Sequence, residues 1–436
     1  MPCGASAGTL LAVGTPAFAR NGDGQVKAAT TVTQVFGEGV KLTAVAIEYD
    51  APVDGASLSA GSFSVAGRTV TDIFASTSAD PADRAGQGPF VVIALSLEDE
   101  SAALAQKVEQ EGDPGGPGGG PGQAGDIPAY DTTYPPASAT VLQSGPITLA
   151  NGQKVEASDR ALEPTKVMNL IVDDFRQLEF KDPRAGKLLR YNLFDPKDYD
   201  PSKSYPLVLF MHDAGATSDV TRTTLFQGLG AVSWASPEDQ AKRPAFVLAP
   251  QYAEIIADDD SRTSDALDAT INLIKALSKE YNIDANRLYA TGQSGGCMMS
   301  IAMNIKYPDF FAASFLVAGQ WDPALVEPLA KKKIWILVSQ DDDKAYPGEK
   351  AMTGELEKAG ARISRAVWDG TWTAAEFRSA FEAIDAEGSP INYVTFAPGT
   401  VIHEGESTAG ASGHRNTWRI AYSIEPIREW IFRQHK

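Results

Sequence analysis

Apolar residues in the C-terminal part of the chain follow two patterns that alternate along the sequence. Between Ser264 and Tyr281 they recur every three or four positions, which predicts one buried face of an α-helix. A last helix is predicted over Ile424–Phe432, where Pro426 is tolerated in the first turn. Strand–helix alternation of this kind predicts a mostly parallel sheet covered by helices on both sides. The predicted strands are Leu188–Phe194, Pro206–Met211, Phe246–Ala249, Arg287–Thr291, Phe315–Val317, Ile334–Val338 and Tyr393–Phe396.

Residues 28 to about 182 carry a different pattern, in which short alternating or β-branched runs are separated by turn residues. This spacing favours an all-β sandwich. The second predicted strand is expected to stop at Asp50-Ala51-Pro52. Residues 111–126 are too rich in Gly and Pro to bury a core, so we expect a mobile loop there. The predicted strands are Thr30–Val35, Val40–Tyr49, Phe63–Val65, Arg68–Phe74, Phe90–Leu97, Ala139–Gln143 and Lys166–Val172.

These patterns divide the chain into a signal-like segment (1–26), a β domain (27–182) and an α/β domain (183–436). The apolar stretch Thr9–Ala19 is shorter than the roughly 18 residues that a membrane span needs. It ends in an A-x-A pattern, which is typical of a signal-peptidase site. No Lys or Arg precedes the stretch, as a signal peptide would normally have. We nevertheless expect an exported protein whose mature chain begins near Arg20.

Charge and cysteine content exclude several function classes. The chain holds 38 basic and 56 acidic side chains, so its net charge is −18. Nucleic acids and anionic lipid surfaces both require a basic face, so neither is an expected partner. The two cysteines, Cys3 and Cys297, are far apart, and no Cys/His cluster has zinc spacing. A disulfide framework and a structural zinc site are therefore not expected.

The segment Gly292–Gly296 reads GQSGG and fits the pattern G-x-S-x-G. A predicted strand, Arg287–Thr291, runs into it, and the helix-like stretch Cys297–Tyr307 follows it. Strand, sharp turn and helix in this order form a nucleophile elbow, in which glycines permit the turn and leave the serine hydroxyl exposed. The pattern predicts Ser294 as a nucleophile.

A serine hydroxyl needs a base, and the base needs an orienting acid. In hydrolases with such an elbow the chain order is serine, acid, histidine. His414 stands in a polar, glycine-containing loop shortly before the last helix, so we prefer it as the base to His403, which lies nearer a strand end. The acid is expected in the loop after Ile334–Val338. Three carboxylates stand there, namely Asp341, Asp342 and Asp343.

Backbone N–H groups are also needed to stabilise an oxyanion. One is expected from Gly295, directly after the nucleophile. The other is expected from the Asp213–Ala214 backbone, in the loop that follows the strand ending at Met211. His212, at the end of that strand, is interpreted as a structural residue that holds the loop by hydrogen bonds.

At these residues the chain resembles the α/β-hydrolase superfamily, and more closely the polyhydroxybutyrate-depolymerase-like and feruloyl-esterase-like carboxylesterases with an N-terminal immunoglobulin-like domain. This resemblance implies Asp343 as the triad acid, because the family usually places it four residues before a proline, here Pro347. It also implies an immunoglobulin-like sandwich for the β domain. Relatives commonly have Met where this chain has Gly295, which puts the rigidity of the elbow and one wall of the acyl pocket in question. The matching segments are Tyr205–His212, Ala249–Gln251, Asp284–Gly296, Tyr307-Pro308, and His414 with Trp418 and Tyr422.

The leading hypothesis is a secreted serine hydrolase that acts on short-chain, aryl or feruloyl, or polyester-type carboxylic esters, small or polymeric, through an acyl-enzyme. No cofactor or metal is expected. Trp321 and Trp418 are candidates for the substrate pocket. The alternatives are an oligopeptidase-like serine hydrolase and a non-catalytic polymer-binding protein that retains the fold. The sequence does not predict the oligomeric state.

Overall fold

The computed structural model describes residues 25–110, 122–407 and 411–436. The signal-like residues 1–24, most of the Gly/Pro-rich segment predicted as a loop (111–121) and residues 408–410 lie outside this description. The corresponding expectations therefore remain predictions.

Strands fill the N-terminal region, as its pattern predicts. Five of them form one sheet in the order β11-β1-β2-β5-β4, and the pairs β3–β8, β6–β7 and β9–β10 form two-stranded sheets. The expected break at residues 50–52 is wrong. β2 continues to Asp54, and its register with β5 is irregular between Glu48 and Val53, which accommodates Pro52 at a bulge. The strands are β1 (Val26–Phe36), β2 (Gly39–Asp54), β3 (Phe63–Val65), β4 (Val70–Ser76), β5 (Gln87–Leu95), β6 (Gln106–Glu109), β7 (Tyr130–Thr133), β8 (Val141–Gln143), β9 (Ile147–Thr148), β10 (Lys154–Val155) and β11 (Lys166–Asn169).

A nine-stranded sheet forms the centre of the C-terminal region, in the order β12-β13-β15-β14-β16-β17-β18-β20-β19. β12 and β13 pair antiparallel with their neighbours, and the other pairs are parallel. All seven predicted strands are present. The two that the pattern missed, β12 and β19, lie at the sheet edges, where half-exposed positions replace continuous apolar runs. The strands are β12 (Arg176–Lys181), β13 (Leu188–Phe194), β14 (Tyr205–Met211), β15 (Phe246–Gln251), β16 (Ile283–Gln293), β17 (Ala313–Val317), β18 (Ile334–Ser339), β19 (Ile363–Trp368) and β20 (Ile391–Phe396).

Helices connect the parallel strands. α4 occupies the stretch predicted from periodicity, and its buried face includes Leu267, Ile271, Ile274 and Leu277. In the described part of the chain, no helix combines the length and the apolar character that crossing a membrane requires. The helices are α1 (Thr223–Phe226), α2 (Leu229–Ala235), α3 (Pro237–Lys242), α4 (Ala266–Glu280), α5 (Gly295–Lys306), α6 (Ala345–Lys358), α7 (Ala374–Asp385), α8 (Ser412–Ala421) and α9 (Glu425–Phe432).

The chain packs as two compact units whose limits differ from a single cut at residue 182. Of the described residues, one unit holds 25–31, 44–95 and 138–166. The other holds 32–43, 96–110, 122–137, 167–407 and 411–436 and contains the nine-stranded sheet. The hairpin β6–β7 thus belongs to the same compact unit as that sheet, although it lies early in the chain.

A buried ion cluster joins α3 to α9 in the larger unit. Asp239, which is 2% exposed, accepts hydrogen bonds from Arg243 and from Arg428, whose Nε lies 3.0 Å from Asp239 Oδ1. Arg428 also donates to the carbonyl of Tyr422, at the end of α8 (2.6 Å). Removal of the Asp239 carboxylate would leave the buried Arg428 guanidinium without its ionic partner, which is far more costly than losing an exposed pair.

We therefore predict that Asp239→Ala lowers the free energy of unfolding by about 3–5 kcal/mol. Urea unfolding followed by tryptophan fluorescence measures this loss. The matched control is Asp385→Ala, which removes a partly exposed partner of Arg433 and should cost less than about 1 kcal/mol. Equal losses in the two variants would contradict this interpretation of the cluster.

Candidate active site

Ser294 stands at a sharp turn between β16 and α5. Its backbone has φ 51° and ψ −118°, a left-handed conformation that non-glycine residues rarely adopt. The turn is possible because its neighbours lack side chains. A Cβ on Gly296 would lie 2.0 Å from the Met211 carbonyl oxygen, and one on Gly292 would lie 2.4 Å from the Gly296 backbone. The predicted strand–turn–helix elbow is present.

His414 lies in the first turn of α8 and contacts Ser294 directly. Its Nε2 is 2.9 Å from Ser294 Oγ, and its Nδ1 is 2.5 Å from Asp342 Oδ2. Since an ionised carboxylate can only accept, Nδ1–H donates to Asp342, and Nε2 of the neutral ring is left to accept the serine proton. Three side chains that are far apart in the sequence therefore form one hydrogen-bonded line.

The carboxylate in this line belongs to Asp342, so the expectation of Asp343 is wrong. Asp343 is exposed, whereas Asp342 is 3% exposed. Asp342 Oδ1 accepts the backbone N–H groups of Lys344 (3.1 Å) and Ala345 (2.8 Å), where α6 begins. This capping role turns the side chain inward, and a residue one position later points to solvent. Asp341 accepts the N–H of Gly399 and does not contact His414 in the described structure.

The surroundings of Asp342 favour its charged form. Burial acts to raise the pKa of this carboxyl, but hydrogen bonds from His414 and from the Ala345 and Lys344 N–H groups outweigh burial and lower it below its ordinary value. Asp342 is thus ionised at neutral pH and is able to stabilise a positive imidazole on His414.

The expected oxyanion loop lies beside the elbow. A Cβ built on Gly295 would be 3.7 Å from the backbone nitrogen of Ala214, so the N–H groups of these two residues lie near one another. Gly295 begins α5, and its N–H has no acceptor four residues earlier in the helix. The structure thus brings together the backbone groups named from the sequence, although their catalytic use remains a prediction.

His212 fixes the peptide that carries the Ala214 N–H. Its Nδ1 is 2.7 Å from the carbonyl of Asp213, and its Nε2 accepts the backbone N–H of Tyr252 (3.0 Å). Because one partner only accepts and the other only donates, the ring is held neutral with its proton on Nδ1. Burial lowers the pKa of His212 below its ordinary value. Since C=O and N–H point in opposite directions in a trans peptide, holding the Asp213 carbonyl also orients the Ala214 N–H.

One element of the site was not anticipated from the sequence. Gln293, the variable residue before the nucleophile, donates from Nε2 to Asp213 Oδ2 (2.8 Å) and to Gln227 Oε1 (3.2 Å). Asp213 Oδ1 in turn accepts the N–H of Gly215 (2.8 Å). This side-chain clamp ties the elbow to the oxyanion loop. The only sequence signal was a polar residue at a position that the motif leaves free.

The remaining candidates lie at different distances from the site. The Trp418 ring meets the His414 ring edge-on, with centroids 4.8 Å apart. Trp321 is 6% exposed, and its backbone N–H lies 3.1 Å from Met352 Sδ, so it packs in the core. Both remain predictions as pocket residues. His403 is exposed, and no contact places it near Ser294 in the described residues.

Two further ionisable groups near the site, Cys297 and Glu349, are buried. Cys297, a free cysteine, and Glu349 both have pKa values raised well above the ordinary ones, chiefly by burial. Glu349 Oε1 accepts the N–H of Gly319 (3.1 Å). Within residues 25–110, 122–407 and 411–436, no group of three or more His, Cys, Asp or Glu side chains is arranged to hold a metal ion.

Comparison with known proteins agrees with this architecture. Residues 28–156 match the family described as "Esterase Ig-like N-terminal domain", and residues 259–353 match the prolyl oligopeptidase family. A solved structure described as a thermostable esterase aligns with a TM-score of 0.77 and 29% identity, over 94% of this chain and 100% of that chain. The fold is that of the α/β hydrolases, preceded by an Ig-like domain. Both parts of the predicted fold class are confirmed.

Curated relatives carry esterase names. Acetylxylan esterase A of Emericella nidulans is 44% identical over 18% of this chain and 31% of its own length. A probable acetylxylan esterase A of Aspergillus flavus is 42% identical over 11% of this chain and 16% of its own length. The chain thus spans less than a third of the length of either relative. These short matches and the similarity that extends over the whole thermostable esterase are all to proteins named as esterases.

The arrangement around His212 predicts how this residue titrates. Because burial lowers its pKa in the folded state, its imidazole should stay neutral and Nδ1-protonated from pH 8 down to pH 5, as ¹⁵N NMR of the imidazole nitrogens would show. The unfolded chain gains a proton near pH 6.5 that the folded chain does not, so this residue's contribution to stability falls as the pH drops through that range. Titration of the His212 signals near pH 6.5 would contradict the assigned hydrogen bonds.

Proposed function

We propose that this protein hydrolyses carboxylic esters through a Ser294–His414–Asp342 triad and an acyl-enzyme intermediate. The observation that carries the proposal is the hydrogen-bonded line from Ser294 Oγ through both nitrogens of His414 to Asp342. The esterase names of the similar proteins support the choice of an ester bond.

In this mechanism Ser294 Oγ attacks the ester carbonyl carbon while His414 Nε2 takes its proton. Asp342 holds the imidazole in the required tautomer and stabilises the imidazolium that forms. The negative oxygen of the tetrahedral intermediate accepts hydrogen bonds from the N–H groups of Gly295 and Ala214. His414 then gives its proton to the departing alkoxide. A water molecule repeats these steps on the acyl-enzyme and releases the acid, which restores Ser294.

For the substrate we propose esters with a short acyl group, with acetyl first, because the curated relatives are named acetylxylan esterases. Aryl or feruloyl esters and polyesters are the other classes that the sequence left open. The match to the prolyl oligopeptidase family over residues 259–353, which include Ser294 and Asp342, favours peptide hydrolysis as a second candidate.

The nucleophile is tested by Ser294→Ala. We predict that the wild type hydrolyses p-nitrophenyl acetate and is labelled by a fluorophosphonate probe, and that the variant loses labelling and at least about 10³-fold in kcat. Circular dichroism and the melting temperature provide the folding control. A wild type that neither labels nor turns over would instead favour a non-catalytic, polymer-binding protein.

The identity of the acid is tested by paired variants of neighbouring residues. Asp342→Asn should lower kcat by about 10³–10⁴-fold, because the amide no longer favours the required His414 tautomer. Asp343→Asn is the matched control and should stay within about twofold of the wild type, since that side chain is exposed. A large loss of kcat in the Asp343 variant alone would instead identify Asp343 as the triad acid.

The bond type and acyl length are tested by one substrate panel. We predict kcat/KM to be highest for acetyl esters, to fall with acyl length, and to exceed that for chromogenic peptides. The panel contains p-nitrophenyl esters of graded length, methyl ferulate, an insoluble polyester and proline-containing p-nitroanilides. Faster turnover of peptides than of esters would favour the oligopeptidase candidate.

A further inference from the structure

The hairpin β6–β7 lies early in the chain but contacts the catalytic unit. It falls within residues 28–156, the stretch that matches the Ig-like domain of esterases. By its contacts it belongs to the compact unit that holds the nine-stranded sheet. Its strand β7 runs beside the short 3₁₀ turn Ala214–Ala216, which is the turn that carries one expected oxyanion donor.

One link between the hairpin and this turn is direct. Thr132 Oγ1 donates a hydrogen bond to the carbonyl oxygen of Gly215 (3.2 Å). Gly215 follows Ala214 within the same three-residue turn, so this bond restrains that turn two peptide units after the peptide that carries the Ala214 N–H. The neighbouring Thr133 provides a natural comparison, because its hydroxyl donates to the carbonyl of Gln106, within the hairpin itself (3.4 Å).

A second link begins at the half-buried Asp131 and reaches the other side of Ala214 through three buried residues. Ser218 Oγ donates to Asp131 Oδ2 (3.0 Å), and the Ser218 N–H donates to the carbonyl of Tyr252 (3.0 Å). The Tyr252 N–H donates to His212 Nε2 (3.0 Å), and His212 Nδ1 holds the Asp213 carbonyl. The chain of contacts thus ends on the peptide whose nitrogen belongs to Ala214.

Three further contacts fix residues in and beside the hairpin to the same unit. The Tyr134 ring packs against Phe226 with centroids 5.2 Å apart. Upstream of β7, Gly125 N–H donates to the Ile255 carbonyl, and Ile255 N–H donates to the Asp126 carbonyl, both at 2.8 Å. The chain is therefore held at several points along residues 125–134, which restrains β7 beside the oxyanion loop.

We propose that the β6–β7 hairpin positions the oxyanion loop, with Thr132 and Asp131 acting as positioning residues for the Ala214 N–H. Part of the Ig-like stretch would then belong to the catalytic apparatus. The inference rests on the proposed function, since it requires Ala214 to donate to a developing oxyanion. A donor displaced by a few tenths of an ångström stabilises the transition state less while ground-state binding changes little, so kcat should respond and KM should not.

The test compares Thr132→Val with the matched control Thr133→Val in the full chain. Thr132→Val should lower kcat for p-nitrophenyl acetate about three- to tenfold with KM unchanged within about twofold, and Thr132→Ser should restore it. The loss of kcat caused by Thr132→Val should be smaller with the thionoester analogue of this substrate. In that analogue the oxyanion is replaced by sulfur, which is a weak hydrogen-bond acceptor. Asp131→Ala should act in the same direction, and Thr133→Val should leave kcat unchanged at an equal melting temperature.

Equal kcat values in the Thr132 and Thr133 valine variants would overturn the proposal, as would a loss that only tracks a lower melting temperature. Ser294→Ala separates this failure from that of the proposed function. If Ser294→Ala abolishes turnover while Thr132→Val has no effect, the esterase mechanism stands and the role of the hairpin falls. If Ser294→Ala leaves turnover intact, the proposed function itself fails.

Discussion

The close approach of α5 to β14 is the constraint on which the site depends. A side chain at Gly296 would overlap the carbonyl of Met211, so only glycine lets the helix begin this close to the sheet. This approach holds Ser294 in its left-handed conformation, at a cost of about 1–3 kcal/mol that the surrounding packing must offset. The strained turn places the Ser294 hydroxyl beside His414 Nε2, and the first N–H of α5 belongs to the next residue, Gly295. The proposed nucleophile and the proposed oxyanion donor thus depend on the same turn.

The surroundings of two buried polar groups near the elbow hold one of them neutral and the other charged. His212 is kept neutral by burial and by one accepting and one donating backbone partner. Asp342 is equally well buried, yet its pKa is lowered, because three hydrogen bonds support its charged form. Asp342 also provides a cap for the start of α6. Local folding of that helix and orientation of His414 therefore depend on the same carboxylate, which makes the triad geometry part of the fold.

The hydrophobic pattern of the sequence was sufficient to predict the central strands of the sheet, but it was insufficient to predict the edge strands. The central strands are buried on both faces and show continuous apolar runs, so their positions follow from the sequence. The edge strand β12 has only two half-buried apolar positions, Leu178 and Phe180, and lacks the continuous apolar run by which seven other strands of this sheet were predicted. Ser294 and His414 were identifiable because motif and chain order restrict them. Asp342 and Asp343 have the same side chain, and only the cap on the Ala345 N–H, a feature of the folded loop, separates them.

Tertiary placement of the hairpin was likewise beyond the sequence pattern, because a β-type pattern does not say which sheet or unit a strand will join. The proposed active-site geometry is tested most directly by a crystal structure of the enzyme after reaction with a phosphonate ester. We expect phosphorus bonded to Ser294 Oγ, its phosphoryl oxygen within about 3.2 Å of the Gly295 and Ala214 nitrogens, and His414 still bonded to Asp342. A phosphoryl oxygen turned to solvent, or phosphorus on another residue, would contradict it.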